Sequence, residues 1–86
     1  TPPFYFVKFS FSLISADFME ANLTKVMFDS CNLHLAEFER ANCENADFYT
    51  SYHVSLNPLK TKIKRAVFNK EALPGLMSHF DIIVKE

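Results

Sequence analysis

With 86 residues, the chain is long enough for one domain at most, and a domain of this size buries only a thin core. Hydrophobic residues make up 49% of the sequence, ten residues are Phe and a single residue is Gly, which excludes a disordered chain and a protein built from tight Gly-rich hairpins. The formal net charge of −1 conceals an uneven distribution of acidic and basic residues along the chain.

The first ten residues form an irregular N-terminal segment. Phe4, Tyr5, Phe6 and Phe9 need burial, but Lys8 interrupts the apolar run. The run is too short to cross a bilayer, and it lacks the basic start and the small-residue cleavage site of a signal peptide. Residues 1–10 therefore fit a distorted start of the next element, a cap or a strand swapped with a partner chain. A longer parent protein would also account for them.

Residues 11–70 divide into twelve consecutive units of five residues. The first eight read FSLIS, ADFME, ANLTK, VMFDS, CNLHL, AEFER, ANCEN and ADFYT. The units SYHVS, LNPLK, TKIKR and AVFNK continue the register, although two of them fit poorly and LNPLK fits worst. A five-residue period matches neither the 3.6 residues of a helical turn nor the two of an ordinary strand, so it indicates a repeat architecture.

The tandem pattern A-(D/N)-(L/F)-x-x resembles the pentapeptide-repeat family. The resemblance implies an all-β fold, a right-handed quadrilateral β-helix with four units per coil, and hence about three coils. It also implies that the first and third residues of each unit point inward. Residues 20 apart should then stack, so that Phe columns alternate with aliphatic columns and His53 ends one of the aliphatic columns. The predicted core columns contain Leu13, Phe18, Leu23, Phe28, Leu33, Phe38, Cys43, Phe48, Ile63 and Phe68.

Residues 71–86 are predicted to form a short helix and an apolar tail. Asn69 is a suitable N-cap, Pro74 is tolerated in the first turn, and Ile82 opens a short apolar run that is typical of a strand. The end of the chain resembles that of the bacterial quinolone-resistance pentapeptide proteins, in which the helix mediates a two-fold dimer. The resemblance implies a homodimer, and the alternative is a helix that only caps its own solenoid. The predicted interface residues are Leu73, Leu76, Met77, Phe80, Ile82 and Ile83.

Acidic residues are concentrated in residues 11–50, which carry seven acids against Lys25 and Arg40, whereas residues 51–86 carry six bases against three acids. Twenty-residue coils place Asp17 over Glu37, and like charges on neighbouring strands are destabilising. Arg40 is expected near Glu20, where it relieves part of this repulsion. The candidate partner-binding acids are Asp17, Glu20, Asp29, Glu37, Glu39, Glu44 and Asp47.

Two interpretations of this acidic surface remain open. In the first, it is a solvated outer surface whose Asp and Asn residues serve turns and solubility. In the second, it binds a type II topoisomerase, because the quinolone-resistance relatives resemble B-form DNA in width and charge and occupy the DNA site of these enzymes.

The sequence contains no recognisable catalytic constellation. The three His residues lack the paired spacing of a metal site, and a single Gly precludes a Gly-rich phosphate loop. Cys31 and Cys43 are too few for a disulfide framework and occupy inward positions, which predicts inert thiols in a cytoplasmic protein. We therefore predict a structural or protein-interaction module that is not an enzyme and has no cofactor, metal, small-molecule substrate or membrane partner. Nucleic acid is not an expected partner, despite the basic residues between positions 60 and 65.

Overall fold

The computed structural model describes residues 8–9, 12–83 and 85. Two short strands, β1 (Lys8–Phe9) and β2 (Met27–Phe28), pair in parallel. At the other end, the 3-10 helix η1 (Lys70–Ala72) leads into the α-helix α1 (Leu73–Met77) and the 3-10 helix η2 (Ser78–Phe80). Between them, isolated parallel bridges join residues 20 apart, as in Asn22–Asn42 and Asn42–Lys62. The chain is therefore a β-helix in which residues 20 apart in sequence lie side by side on adjacent coils.

Each repeat unit ends in a turn that needs no glycine. The carbonyl of the third residue accepts a hydrogen bond from the first N–H of the next unit, as in Leu33 O to Ala36 N at 3.0 Å. The fifth residue is left-handed, with φ between 56° and 64°, in eight units. This conformation costs a non-glycine residue about 1–2 kcal/mol, so the hydrogen-bonded ladders must hold it in place. The left-handed fifth residues are Ser15, Glu20, Lys25, Ser30, Leu35, Arg40, Asn45 and Arg65.

Asp and Asn at the second position of a unit stabilise the same turn. Their side-chain Oδ1 accepts the N–H of the fourth residue, for example between Asp17 and Met19 at 2.9 Å and between Asn42 and Glu44 at 3.0 Å. This local bond closes a turn around the third residue. The turn-forming interpretation of these Asp and Asn residues is thereby confirmed.

Stacked Phe columns fill the core. Phe28 stacks on Phe48 at 4.8 Å and Phe48 on Phe68 at 5.1 Å, while Phe18 stacks on Phe38 at 5.3 Å. Rings of neighbouring columns meet edge to face, which is a favourable arrangement of their quadrupoles. Of the predicted core-column residues, Leu23, Phe28, Leu33, Phe38, Cys43 and Phe48 are buried, and Leu13, Phe18, Ile63 and Phe68 are partly buried against them.

Strand β1 continues the ladder with a shift of one residue. Lys8 pairs with Met27 and Phe9 with Phe28, an offset of 19 residues rather than 20. Extending the repeat backwards without this shift would put Lys8 at an inward position. The shift gives that position to Phe9, whose ring stacks on Phe28 at 5.5 Å. The predicted burial of Phe4, Tyr5 and Phe6 lies outside the described residues.

The poorly fitting units SYHVS and LNPLK interrupt the regular coil. The prediction that His53 points inward is wrong, because its side chain is exposed and its φ is 58°. Val54, one residue later, is buried instead, which avoids placing a polar imidazole in an apolar column. Pro58 lacks an N–H, and the described residues form no bridge between positions 37 and 57. The Thr61 hydroxyl replaces part of the ladder by donating to Phe38 O at 2.8 Å.

The C-terminal helices cap the last coil. Asn69 is the N-cap, as predicted, and its Oδ1 accepts a hydrogen bond from Ala72 N at 3.1 Å. Ala72 and Leu76 are buried, whereas Leu73 and Met77 are exposed, so the predicted interface residues of the helix are divided between the core and the surface. Residues 82 and 83 belong to no strand, and residue 84 lies outside the described residues.

Candidate functional surfaces

The first candidate site is the C-terminal apolar surface, formed by Leu73, Met77, Phe80, Ile82 and Ile83. All five side chains are exposed, from 37% for Met77 to 85% for Ile83. Leu73, Met77 and Ile82 line a groove of about 540 Å³ together with Pro74 and Ser78. Leu76, which the sequence assigned to the same interface, is buried in the core of its own chain.

Two contacts fix this surface to the β-helix. The Asn69 amide donates to Tyr49 O at 2.7 Å and to Ser51 O at 3.0 Å, while its oxygen caps η1. Helix α1 lies so close to the preceding coil at Gly75 that an added Cβ would clash with Val54 O. The exposed apolar side chains therefore project from a helix whose opposite face is held against the last coil.

The second candidate site is the acidic surface that the sequence predicts. Asp17 and Glu37 pair directly across adjacent coils, as predicted, and both side chains are exposed. Arg40 contacts Glu20 at 3.3 Å, also as predicted, and Glu39 at 3.5 Å. Arg40 therefore neutralises part of the charge of Glu20 and Glu39. Within the described residues, no ion pair involves Asp17 or Glu37.

Several acids of this surface also have structural partners. Asp17 and Asp47 accept turn hydrogen bonds from Met19 N and Tyr49 N, each at 2.9 Å. Asp29 accepts a hydrogen bond from the Thr50 hydroxyl at 3.2 Å. Asp29, Glu39, Glu44 and Asp47 are half-buried. These acids therefore contribute to turn geometry as well as to surface charge.

The two thiols are free and fully buried. Burial raises the pKa of Cys43 to about 12, so its thiolate is strongly disfavoured. Cys31 Sγ donates to Phe9 O at 3.2 Å, which ties it to strand β1. Both features support the predicted role of the thiols in the core.

The histidines form a contact that sequence spacing did not indicate. The rings of His34 and His53, 19 residues apart in sequence, lie with centroids 5.7 Å apart on the surface. The 20-residue coil could have indicated this contact, because it places His34 and His53 near each other on adjacent coils. The incorrect inward assignment of His53 concealed it. No cluster of three or more His, Cys, Asp or Glu residues in the described part of the chain is arranged to hold a metal ion. No helix in the same part is both long and apolar enough to span a bilayer.

Comparison with known proteins identifies the repeat but not a relative. The family model for pentapeptide repeats matches residues 16–51 in eight copies. No curated protein matches the chain. The matched residues cover the regular coils and their acidic surface, and they end before the cap that carries the C-terminal apolar surface.

Proposed function

We propose, from the eight pentapeptide repeats in residues 16–51, that the chain is a non-enzymatic interaction module that forms a homodimer through its C-terminal apolar surface. We further assign it a right-handed quadrilateral β-helix of about three coils, since pentapeptide repeats generally form a β-helix. The observation that carries the proposal is the exposure of the five apolar side chains beside the buried face of α1.

Burial of this surface supplies the driving force. Removing apolar area from water contributes roughly 25 cal/mol per Å². A β-helix this short has only a small core of its own, so burial at an interface adds a useful share of its stability. A two-fold dimer brings the same patch of both copies together, so the groove of one copy must receive a ridge that lies beside the same groove in the other copy. The C-terminal apolar surface offers both, because the groove between Leu73 and Ile82 adjoins the exposed Phe80 and Ile83. The resemblance of the tail to the quinolone-resistance proteins points to the same arrangement.

Sedimentation velocity of the intact chain over a concentration series tests the dimer. We expect a dimer for the wild type and a monomer for Leu73→Asp and Met77→Asp, because a carboxylate in an apolar interface must be desolvated. Leu59→Asp is the control, since Leu59 is also an exposed apolar residue, more exposed than Leu73 or Met77, but lies on the interrupted coil. A wild-type monomer at all concentrations, or a dimer that tolerates both substitutions, would contradict the proposal.

A second candidate function is binding to a type II topoisomerase as a DNA mimic. It is favoured by the exposed Asp17–Glu37 pair, because directly opposed like charges weaken the ladder and a role in partner binding would account for their presence. A supercoiling assay with DNA gyrase and a fluoroquinolone tests this function. The candidate predicts that the chain protects or inhibits gyrase and that the double variant Asp17→Asn, Glu37→Gln does so less. An unchanged assay at micromolar protein would remove it.

A further inference from the structure

We infer that His34 and His53 together form a bidentate binding site for a divalent transition-metal cation. The two residues lie on adjacent coils, and both side chains are exposed. Their ring centroids are 5.7 Å apart and the rings are inclined at 67°. The site is independent of the C-terminal apolar surface and of the acidic surface.

The separation of the rings suits a shared metal ion. Zinc binds imidazole nitrogen at about 2.0–2.1 Å, so two rings that share one metal have centres roughly 5–6 Å apart. The observed separation falls in this range, and metal binding requires the exposed side chains to turn from their edge-to-face contact until a nitrogen of each ring is directed at the same point. Neither imidazole makes a hydrogen bond within the described residues, so their ring nitrogens are available as ligands.

The backbone holds both ligands in place before the metal arrives. His34 O accepts Ser15 N at 2.8 Å, and His34 N donates to Asn32 Oδ1 at 3.1 Å. Beside His53, the backbone of Tyr52 bonds both Leu33 and Cys31 at 3.0 Å. The left-handed φ of 58° at His53 turns its side chain out of the core. The Tyr52 ring, with its centroid 5.4 Å from that of His53, restricts the orientation of the imidazole.

The number and type of ligands select the cation. Neutral imidazole suits nickel, copper and zinc, and affinity rises along the first-row series to copper. Because the described residues provide no third ligand, water completes the coordination shell and the cation remains exchangeable. A metal held by both residues crosslinks two coils, so binding stabilises the folded chain by an amount that rises with the logarithm of the free metal concentration.

Calorimetric titration of the tag-free chain with Ni²⁺ or Zn²⁺ tests the site. We expect one metal per chain and at least tenfold weaker binding for His34→Gln or His53→Asn. Asn is chosen at position 53 because it tolerates a positive φ. His79→Gln is the control, since His79 lies beside Ser55 rather than in the pair.

A second measurement keeps the test valid if a variant fails to fold. In the wild type, diamagnetic Zn²⁺ should shift the imidazole proton resonances of His34 and His53 while those of His79 stay in place, and EDTA should reverse the shifts. Equal shifts at all three histidines, no shift at any, or undiminished affinity in a folded double variant would overturn the inference.

Discussion

Phe28 lies directly beneath Phe48, with ring centroids 4.8 Å apart and an interplanar angle of 7°. Both rings are completely buried, and Phe48 also contacts Phe68 at 5.1 Å. The aromatic column therefore joins successive coils through continuous ring contacts, and its central members should contribute most to stability.

Truncation of the column at Phe48 is expected to destabilise the fold severely. Phe48→Ala should lower the free energy of unfolding by about 3–5 kcal/mol, since it removes buried area and leaves a cavity. Phe48→Leu should cost less, because it fills part of the space. Tyr49→Ala, on the exposed neighbour, should cost under about 0.5 kcal/mol. Urea unfolding followed by circular dichroism measures all three, and equal losses at positions 48 and 49 would contradict the column model.

Gly75 is expected to be the most restrictive position in the C-terminal cap. Gly75→Ala places a Cβ against Val54 O, and a backbone oxygen cannot move as the end of a flexible side chain can. We expect a loss of about 1–3 kcal/mol, typical of an overpacked contact. Faster hydrogen exchange at residues 70–77 should accompany the loss, because the helix separates from the coil. Ser78→Ala is the exposed control, and an unchanged melting temperature for Gly75→Ala would show that the helix is not docked here.

Asn69 should act both as a helix cap and as a link to the preceding coil. Asn69→Asp keeps the acceptor for Ala72 N but loses the donors to Tyr49 O and Ser51 O, whereas Asn69→Ala loses all three bonds. We expect a loss of about 1–2 kcal/mol for Ala. If Asp restores full stability, the cap bond alone matters, and the proposed link to the coil is absent. Thermal unfolding of both variants beside the neighbouring Lys70→Ala distinguishes these cases.

The regular coils were predictable from sequence because each position has one physical requirement. A third-position Phe or Leu fills a column, and a second-position Asp or Asn closes a turn, so the 20-residue stacking follows from composition at fixed spacing. His53 was mispredicted because the five-residue register was extended unchanged through the unit SYHVS. The chain instead shifts the inward position by one residue, so that Val54 is buried. The sequence also could not predict which apolar residues of the C-terminal helix are buried and which are exposed. A helical pattern does not show which of them pack against the coil of their own chain. Leu76 therefore could not be separated from Met77 before the docking contact at Gly75 was known.

The glycine-free turns offer a route to a more stable chain. Leu35 has a φ of 62° and an exposed side chain. Burial of its side chain therefore does little to offset the cost of the left-handed conformation. Leu35→Gly or Leu35→Asn should raise the free energy of unfolding by about 0.5–1 kcal/mol, because both residues tolerate positive φ. Ile14→Gly is the control at an exposed position without positive φ, where Gly should destabilise. Destabilisation by Gly at both positions would mean that the ladder, and not intrinsic preference, sets the turn.

Cys43 is expected to make the fold sensitive to alkaline pH. Burial holds the pKa of its thiol at about 12, against an ordinary value of 9.0 in the unfolded chain. Below pH 9 both states keep the proton, and the thiol adds no pH dependence. Above pH 9 the unfolded chain releases its proton while the folded chain retains it, so stability falls with rising pH until about pH 12, by roughly 4 kcal/mol in all. Cys43→Ala should be less stable at pH 8 because of its cavity but should lose less stability between pH 9 and pH 11, as measured by urea unfolding at each pH. Parallel pH profiles for the two proteins would refute a titrating Cys43.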